Sequence, residues 1–458
     1  MIKRALTNVT DMLHDSYLKG HNVVIHGVSI DSRAISKGNL FIPLIGPNSN
    51  GHHYSKSAID NGAVASLWNK NEPNPPTDIP LIFVEDTLAA LQQLAGSYRQ
   101  QLQQTTFIGI TGSNGKTSTK DILHSILSTS FRTQKTQGNF NNEIGVPLTL
   151  LQLYEDVEIV VVEMGMDHKG DIAFLSKMVQ PDIAIISNIG NAHLISLGSL
   201  ENIAEEKVNI VRGLKKDGLL LFNGDLPLVT TKVKKHKYKH YSFGIHESND
   251  LFLTSCRQTS TSVLFTISDN HFEFNLPLIG QHQAINCLPA IMIAKILKMS
   301  NELIQVGLSE VELTEQRNEV KKIGNITIIN DTYKSNPESV QAALDTLGSL
   351  TSSHRKLFIM GDMLDMGDQD IKLHKQVGEY LSHKKIDTVY GYGELTRYTI
   401  ASAKQNFPQG KAILFTEEAR LIDAILDYTK EPCILLFKAS RTLQFERLVK
   451  VIERRITR

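Results

Sequence analysis

Two trains of short apolar runs, separated by stretches of helical spacing, dominate the chain from residue 107 onward. The first comprises FIGI (107–110), EIVVVE (158–163), DIAIIS (182–187) and LLLF (219–222). The second comprises NITIIN (325–330), KLFIM (356–360), DTVYGYG (387–393) and CILLF (433–437). Runs that are apolar throughout, rather than at alternate positions, suit strands buried on both faces, so each train predicts a parallel sheet covered by helices. Before them, LFIPLIG (40–46) and LIFVED (81–86) predict further strands, and NEPNPPTDIP between them predicts a surface loop, because each Pro fixes φ and removes a donor. The polar helix end RQQLQQTT marks a boundary near residue 104. At the other terminus Phe445, Leu448, Val449 and Ile452 repeat at helical spacing and predict an amphipathic helix whose role is packing. The expected organisation is α/β in three domains, 1–104, 105–315 and 316–458, consistent with 458 residues at about 150 per domain.

Composition narrows the function classes. Lys plus Arg equals Asp plus Glu at 48 each, so no global field favours a polyanion and a general nucleic-acid binder is not expected. The basic run KVKKHKYKH (232–240) reads as a solvated surface segment. Cys256, Cys287 and Cys433 are far apart and in no metal-ligand spacing, as expected for idle thiols in a reducing compartment. The N-terminal segment shows no apolar h-region, and no apolar run nears the ~20 residues that span a bilayer, so a cytoplasmic protein without membrane insertion is expected.

The ends of the apolar runs carry the first functional signal. Glu163, His193, Asp331, Asp362 and Lys438 all follow such runs closely. In open α/β sheets the ligand crevice lies outside the carboxyl ends of the strands. Each residue alone could be a loop position returning to solvent; the set points to a site.

The sharpest signal is FIGITGSNGKTSTK (107–120). A strand, a glycine-rich turn and a helix start form the context of a phosphate-binding loop. Gly112 and Gly115 permit backbone approaches that a Cβ would block. The amides of Gly112, Ser113, Asn114, Gly115 and Ser118 can then face an anion at a helix N-terminus. Lys116 offers a positive charge to the β- and γ-phosphates, and the Thr117 hydroxyl can ligate Mg²⁺. The spacing is not that of ordinary P-loop kinases: Gly109 stands five residues before Gly115 and belongs to the strand, so the turn begins at Gly112.

GITGSNGKTSTK resembles the phosphate loop of the Mur ligase family, which includes folylpolyglutamate synthases. The resemblance implies an ATP-dependent amide-bond ligase that activates a carboxylate as an acyl phosphate. It implies a central P-loop ATPase-type parallel sheet, flanked by a small N-terminal UDP-binding α/β domain and a C-terminal Rossmann-like α/β domain. TQGNFNNEIGVPLTLL (136–151), with Thr136, Asn139, Asn141 and Asn142, is similar to the segment of those members that add D-alanyl-D-alanine to UDP-N-acetylmuramoyl-tripeptide. Glu163 and Thr117 match ligands of one Mg²⁺; His193 matches a ligand of a second, beside Lys207, which matches a lysine carbamylated by CO₂. A carbamate turns a cation into an anion that tolerates a nearby metal. Without the resemblance, Lys207 reads as an ordinary charge beside Glu205 and Glu206. His282 and Asn286 match residues near the adenine, Arg317 a phosphate contact, Asp331 a ribose contact, and Ser32 and Arg33 contacts to the uridine diphosphate. A monomer is expected. The sequence departs from the family pattern at Asn50, Ile195, Lys334 and Ala439. The alternatives are a sister amide ligase of the same family, a P-loop kinase or NTPase, and a non-catalytic sugar-nucleotide binder.

Overall fold

The computed structural model describes residues 1–350 and 354–457. All eight runs of the two trains are strands, and all pair in parallel within two sheets. In the central sheet Thr106–Thr111 lies between Ile159–Glu163 and Ile183–Ile186, with Thr133–Lys135 at one edge and Leu219–Asn223 beyond Ile183–Ile186. Helix Lys116–Ser128 packs through Ile122, Leu123 and Ile126 on one face of this sheet, with Leu288 and Ile291 of helix Gln281–Ile296. Helices Asp171–Val179 and Leu200–Val208 cover the other face through Ile172, Leu175 and Ile203. The chain therefore changes direction across the sheet beside Thr106–Thr111, where the loops after neighbouring strands part and leave a crevice.

One feature of this sheet was not predicted. Leu251–Gln258, Val263–Ile267 and Asn270–Leu276 extend it as an antiparallel ribbon. Their burial alternates, with Val263, Phe265 and Ile267 buried and Leu264 and Thr266 half-buried. Such two-residue periodicity belongs to strands wet on one face, a pattern different from the continuous runs.

The C-terminal sheet has the order Glu319–Ile323, Ile326–Asp331, Cys433–Lys438, Arg355–Met360, Thr388–Tyr392, Ala412–Phe415, and only its first strand is antiparallel. The terminal helix Phe445–Ile456 buries Phe445, Leu448, Val449 and Ile452, as its spacing predicts. The N-terminal sheet is smaller, and of LFIPLIG only Leu40–Phe41 is strand. Cys287 and Cys433 are buried, Cys256 is half-buried, and all three are unpaired. The basic run divides between the end of a helix and a strand, with Lys232 paired to Glu205 at 2.6 Å.

Candidate functional site

The phosphate loop has the geometry its glycines suggest. Gly112 (φ 154°) and Gly115 (φ 79°) carry the chain from Thr106–Thr111 into helix Lys116–Ser128. A Cβ at Gly115 would stand 2.5 Å from Asn286 Oδ1, so this glycine allows helix Gln281–Ile296 to close one wall of the turn. The amide of Ser113 donates to Asn188 O at 2.8 Å, tying the loop to the segment after Ile183–Ile186. Lys116 Nζ folds back onto Gly112 O at 2.6 Å. Burial lowers the Lys116 pKa, with nearby Glu163 opposing and Arg317 adding to the shift.

Behind the loop, Glu163 is almost fully buried and acts as a hub. Its Oε2 accepts from Thr117 Oγ1 at 2.8 Å and its Oε1 from Asn141 Nδ2 at 2.7 Å. Its own amide donates to Thr136 Oγ1 at 3.0 Å. Thr136 and Asn141 thus orient the carboxylate. Asn142 Oδ1 accepts from Gly145 N at 2.9 Å, at the start of helix Gly145–Leu151. Lys120, also fully buried, lies 3.8 Å from Glu163 and donates to Gly138 O at 3.0 Å. Sequence reasoning did not single it out; its only signal was its place in the first turn after the phosphate loop.

The C-terminal domain completes the site. The Arg317 guanidinium stacks 4.0 Å from the Tyr333 ring centroid, and its buried Nε has no hydrogen-bond partner among the described residues. Asp331 is held by Lys438 at 2.6 Å. Two contacts close this domain on the central one: Asn336 Nδ2 donates to Asn114 Oδ1 of the phosphate loop at 2.9 Å, and Asn191 Nδ2 donates to Glu338 Oε1 at 2.5 Å. Asp362 belongs elsewhere. Its carboxylate accepts from Thr396 N and Oγ1, pinning the start of helix Thr396–Ala403 away from the cleft.

Between these parts three lysines converge. Lys207 is fully buried, and its Nζ makes no hydrogen bond or ion pair among the described residues. Burial first, then Lys116 and Lys334, push its pKa well below the ordinary value. His193, in a left-handed backbone conformation (φ 66°), lies between Asp167 and Lys334: Nδ1 is 3.4 Å from Asp167 Oδ1, and Nε2 is 3.1 Å from Lys334 Nζ. Burial and the Lys334, Lys207 and Lys116 charges push the His193 pKa down to about 2, so the ring is neutral. Lys334 falls to about 7 through burial and the charges of Lys116 and Arg317.

These groups border a cleft of about 1160 Å³ that runs from the N-terminal sheet to the C-terminal domain. Ser113, Asn114, Gly115, Lys116, Thr117, Ser118, Asn139, Asn141, Asn142, Glu163, His193, His282, Asn286, Arg317 and Asp331 all line it. Gly112, Thr136 and Lys207 lie just behind that wall. Ser32 and Arg33 do not line it: Arg33 is exposed and bound to Asp31 at 2.8 Å, while Ser29, Asp31, Ser36 and Asn39 face the cleft instead. Asn50 caps the turn Gly51–Tyr54, and Ala439 is buried against Gly361. Ile195 is exposed outside the cleft.

The cradle fits a nucleoside triphosphate, since converging buried cations need a compact polyanion. Among the described residues no three His, Cys, Asp or Glu side chains form a metal cage. An ion beside Thr117 and Glu163 would therefore draw its other ligands from phosphates and water, as Mg²⁺ commonly does.

Comparison with known proteins agrees with this arrangement. Residues 24–99 match the model of the Mur ligase family catalytic domain, 110–294 the Mur ligase middle domain and 316–441 the Mur ligase glutamate ligase domain. The UDP-N-acetylmuramoyl-tripeptide--D-alanyl-D-alanine ligase of Bacillus subtilis (strain 168) is 41% identical, over 98% of this chain and 98% of its own. A crystal structure of MurF from Acinetobacter baumannii superposes with a TM-score of 0.90 at 28% identity, covering 99% of both chains. MurF ligase from Thermotoga maritima in complex with ADP gives a TM-score of 0.82 at 27% identity, covering 94% of this chain and 97% of that one. With three consecutive domain matches and relatives aligned from end to end, the chain belongs to the Mur ligase family.

Proposed function

We propose that this protein is an ATP-dependent ligase that joins D-alanyl-D-alanine to the tripeptide carboxylate of UDP-N-acetylmuramoyl-tripeptide, in the cytoplasm and as a monomer. The observation that carries this reading is the convergence of Lys116, Lys334 and Arg317, from two domains, on the open side of the phosphate loop. Residues 139–142 and the N-terminal domain continue the same cleft. The curated relatives carry that activity in their names and match over nearly the whole chain. The domains, taken as 1–104, 105–315 and 316–458, divide the work: the first receives the uridine diphosphate end, the second the phosphates, and the third closes over the nucleotide.

The phosphate-loop amides, Lys116 and Arg317 hold the β- and γ-phosphates of ATP, while Asn286, His282 and Asp331 border its nucleoside. Mg²⁺ beside Thr117 and Glu163 would neutralise charge on the transferring phosphoryl group. Lys116 and Arg317 stabilise negative charge as the tripeptide carboxylate takes the phosphoryl group, and again when the dipeptide amine attacks the acyl phosphate. The Asn114–Asn336 and Asn191–Glu338 contacts keep water from that mixed anhydride by holding the third domain closed. A carbamate on Lys207 fits the structure: the side chain is buried, its amine has no hydrogen-bond partner among the described residues, and Lys116 and Lys334 would compensate the new negative charge. A second Mg²⁺ on His193 does not fit, because Lys334 Nζ takes His193 Nε2.

Phosphate release should require ATP, Mg²⁺, the UDP-tripeptide and D-alanyl-D-alanine together. Release that persists when the tripeptide or the dipeptide is omitted would overturn the assignment.

A further inference from the structure

We infer that Lys334 supplies from within the protein the positive charge that a second divalent cation would bring to His193. This rests on the nucleotide-binding reading above and adds a residue to it.

The geometry is specific. With Asp167 Oδ1 3.4 Å from His193 Nδ1, a proton on Nδ1 leaves Nε2 the only in-plane lone pair. Lys334 Nζ lies 3.1 Å from that nitrogen and so donates to it. A metal on Nε2 would have to displace the lysine. The lysine is not a loose surface chain that could swing clear. Its backbone carbonyl accepts from buried Lys438 Nζ at 2.9 Å, and two residues on Asn336 is locked to Asn114. Lys438 also grips Asp331 at 2.6 Å, so the segment between Asp331 and Asn336 is fastened at both ends.

Charge around the position supports the same reading. Lys116, Lys207 and Lys334 surround His193, against the carboxylates of Asp167 and Glu163. Adding a divalent cation would concentrate positive charge where Lys116 and Lys334 already meet. A single lysine leaves room for the phosphates to balance the rest, and the Lys334 charge would offset that of a carbamate on Lys207. The substitution also ties the cation to domain closure. A metal could bind to the central domain alone, whereas Lys334 arrives on the C-terminal domain only when Asn336 meets Asn114. The charge is therefore present only in the closed state, when the nucleotide is covered.

The test counts ions. Mn²⁺ bound per chain is measured by equilibrium dialysis with the full-length protein, a non-hydrolysable ATP analogue and bicarbonate, for the wild type, Lys334→Asn and Lys334→Met. The expected result is about one Mn²⁺ for the wild type and two for Lys334→Asn, whose amide frees His193 Nε2 and adds a possible oxygen ligand. Lys334→Met, which removes the charge without adding a ligand, should also exceed one, so the outcome does not hang on a single variant. Two ions in the wild type, or one in both variants, would overturn the inference while leaving the nucleotide site standing. No Mn²⁺ in any of the three would overturn the nucleotide reading and this inference with it.

Discussion

The two ends of the cleft are built by different means. At the phosphate end, Lys116, Lys120, Lys207, Lys334, Glu163 and Arg317 are packed from two domains, with Lys120, Lys207 and Glu163 buried and Glu163 fixed by bonds to both carboxylate oxygens. At the other end, the N-terminal sheet offers Ser29, Asp31, Ser36 and Asn39, polar groups of which only one is charged. Buried charge is costly unless a partner compensates it, so the protein tolerates it where charge moves during reaction. The uridine diphosphate end only needs to hold its substrate. The difference teaches that the phosphate end should control turnover and the other end should control affinity.

Mutations can break that comparison. The largest effect is expected from Lys116→Ala, which should lower kcat by about 10²–10³, the usual cost of losing one donor to a transition-state charge. An unchanged kcat would show that the convergence of cations is structural. Glu163→Gln should follow, by about 10² in kcat, with a higher Mg²⁺ concentration needed for half-maximal rate. The Thr117 and Asn141 contacts to one or both oxygens can survive in part, so circular dichroism should stay near that of the wild type. Ser36→Ala at the other end should raise the KM for the UDP-tripeptide by roughly fivefold and leave kcat alone, as expected for about 1 kcal/mol of uniform binding. A fall in kcat there would erase the distinction.

The smallest effect concerns stability. His124 and His282 are pushed down to about 4, chiefly by burial. Between pH 6.5 and 4 the unfolded chain takes up protons at these residues while the folded chain does not. Stability should therefore be unaffected above pH 6.5 and should fall as pH drops toward 4, by on the order of 1 kcal/mol per histidine at pH 5. Urea unfolding at pH 7.5 and pH 5 should show the loss, and His124→Gln should reduce it. An equal loss in the variant would remove His124 from the account.

Legibility divided along the same line as the cleft. The eight parallel strands, the terminal helix and the phosphate loop were readable because each depends on a local period or a local turn. Glu163, Arg317 and Asp331 were named from motifs, and they line one cleft because Glu163 and Asp331 end their parallel strands and Arg317 precedes a strand that runs antiparallel beside Asp331. The antiparallel ribbon was harder to see, since its alternation is diluted by polar residues. Lys120 was invisible as a buried ion, because nothing in GKTSTK says which way its fifth side chain turns. Asp362 follows a buried strand as Asp331 does, yet it serves a helix start. Only packing distinguishes them.

By itself, the sequence determined the strands, the domain order and the chemistry of the phosphate loop, since these rest on neighbours within a few residues. The tertiary structure alone decided that Lys334 meets His193 across 141 residues of chain, that Asn336 locks to Asn114, and that Ser36 rather than Arg33 faces the cleft. The physical reason is that contacts between domains depend on how whole sheets approach one another. No local period records that approach.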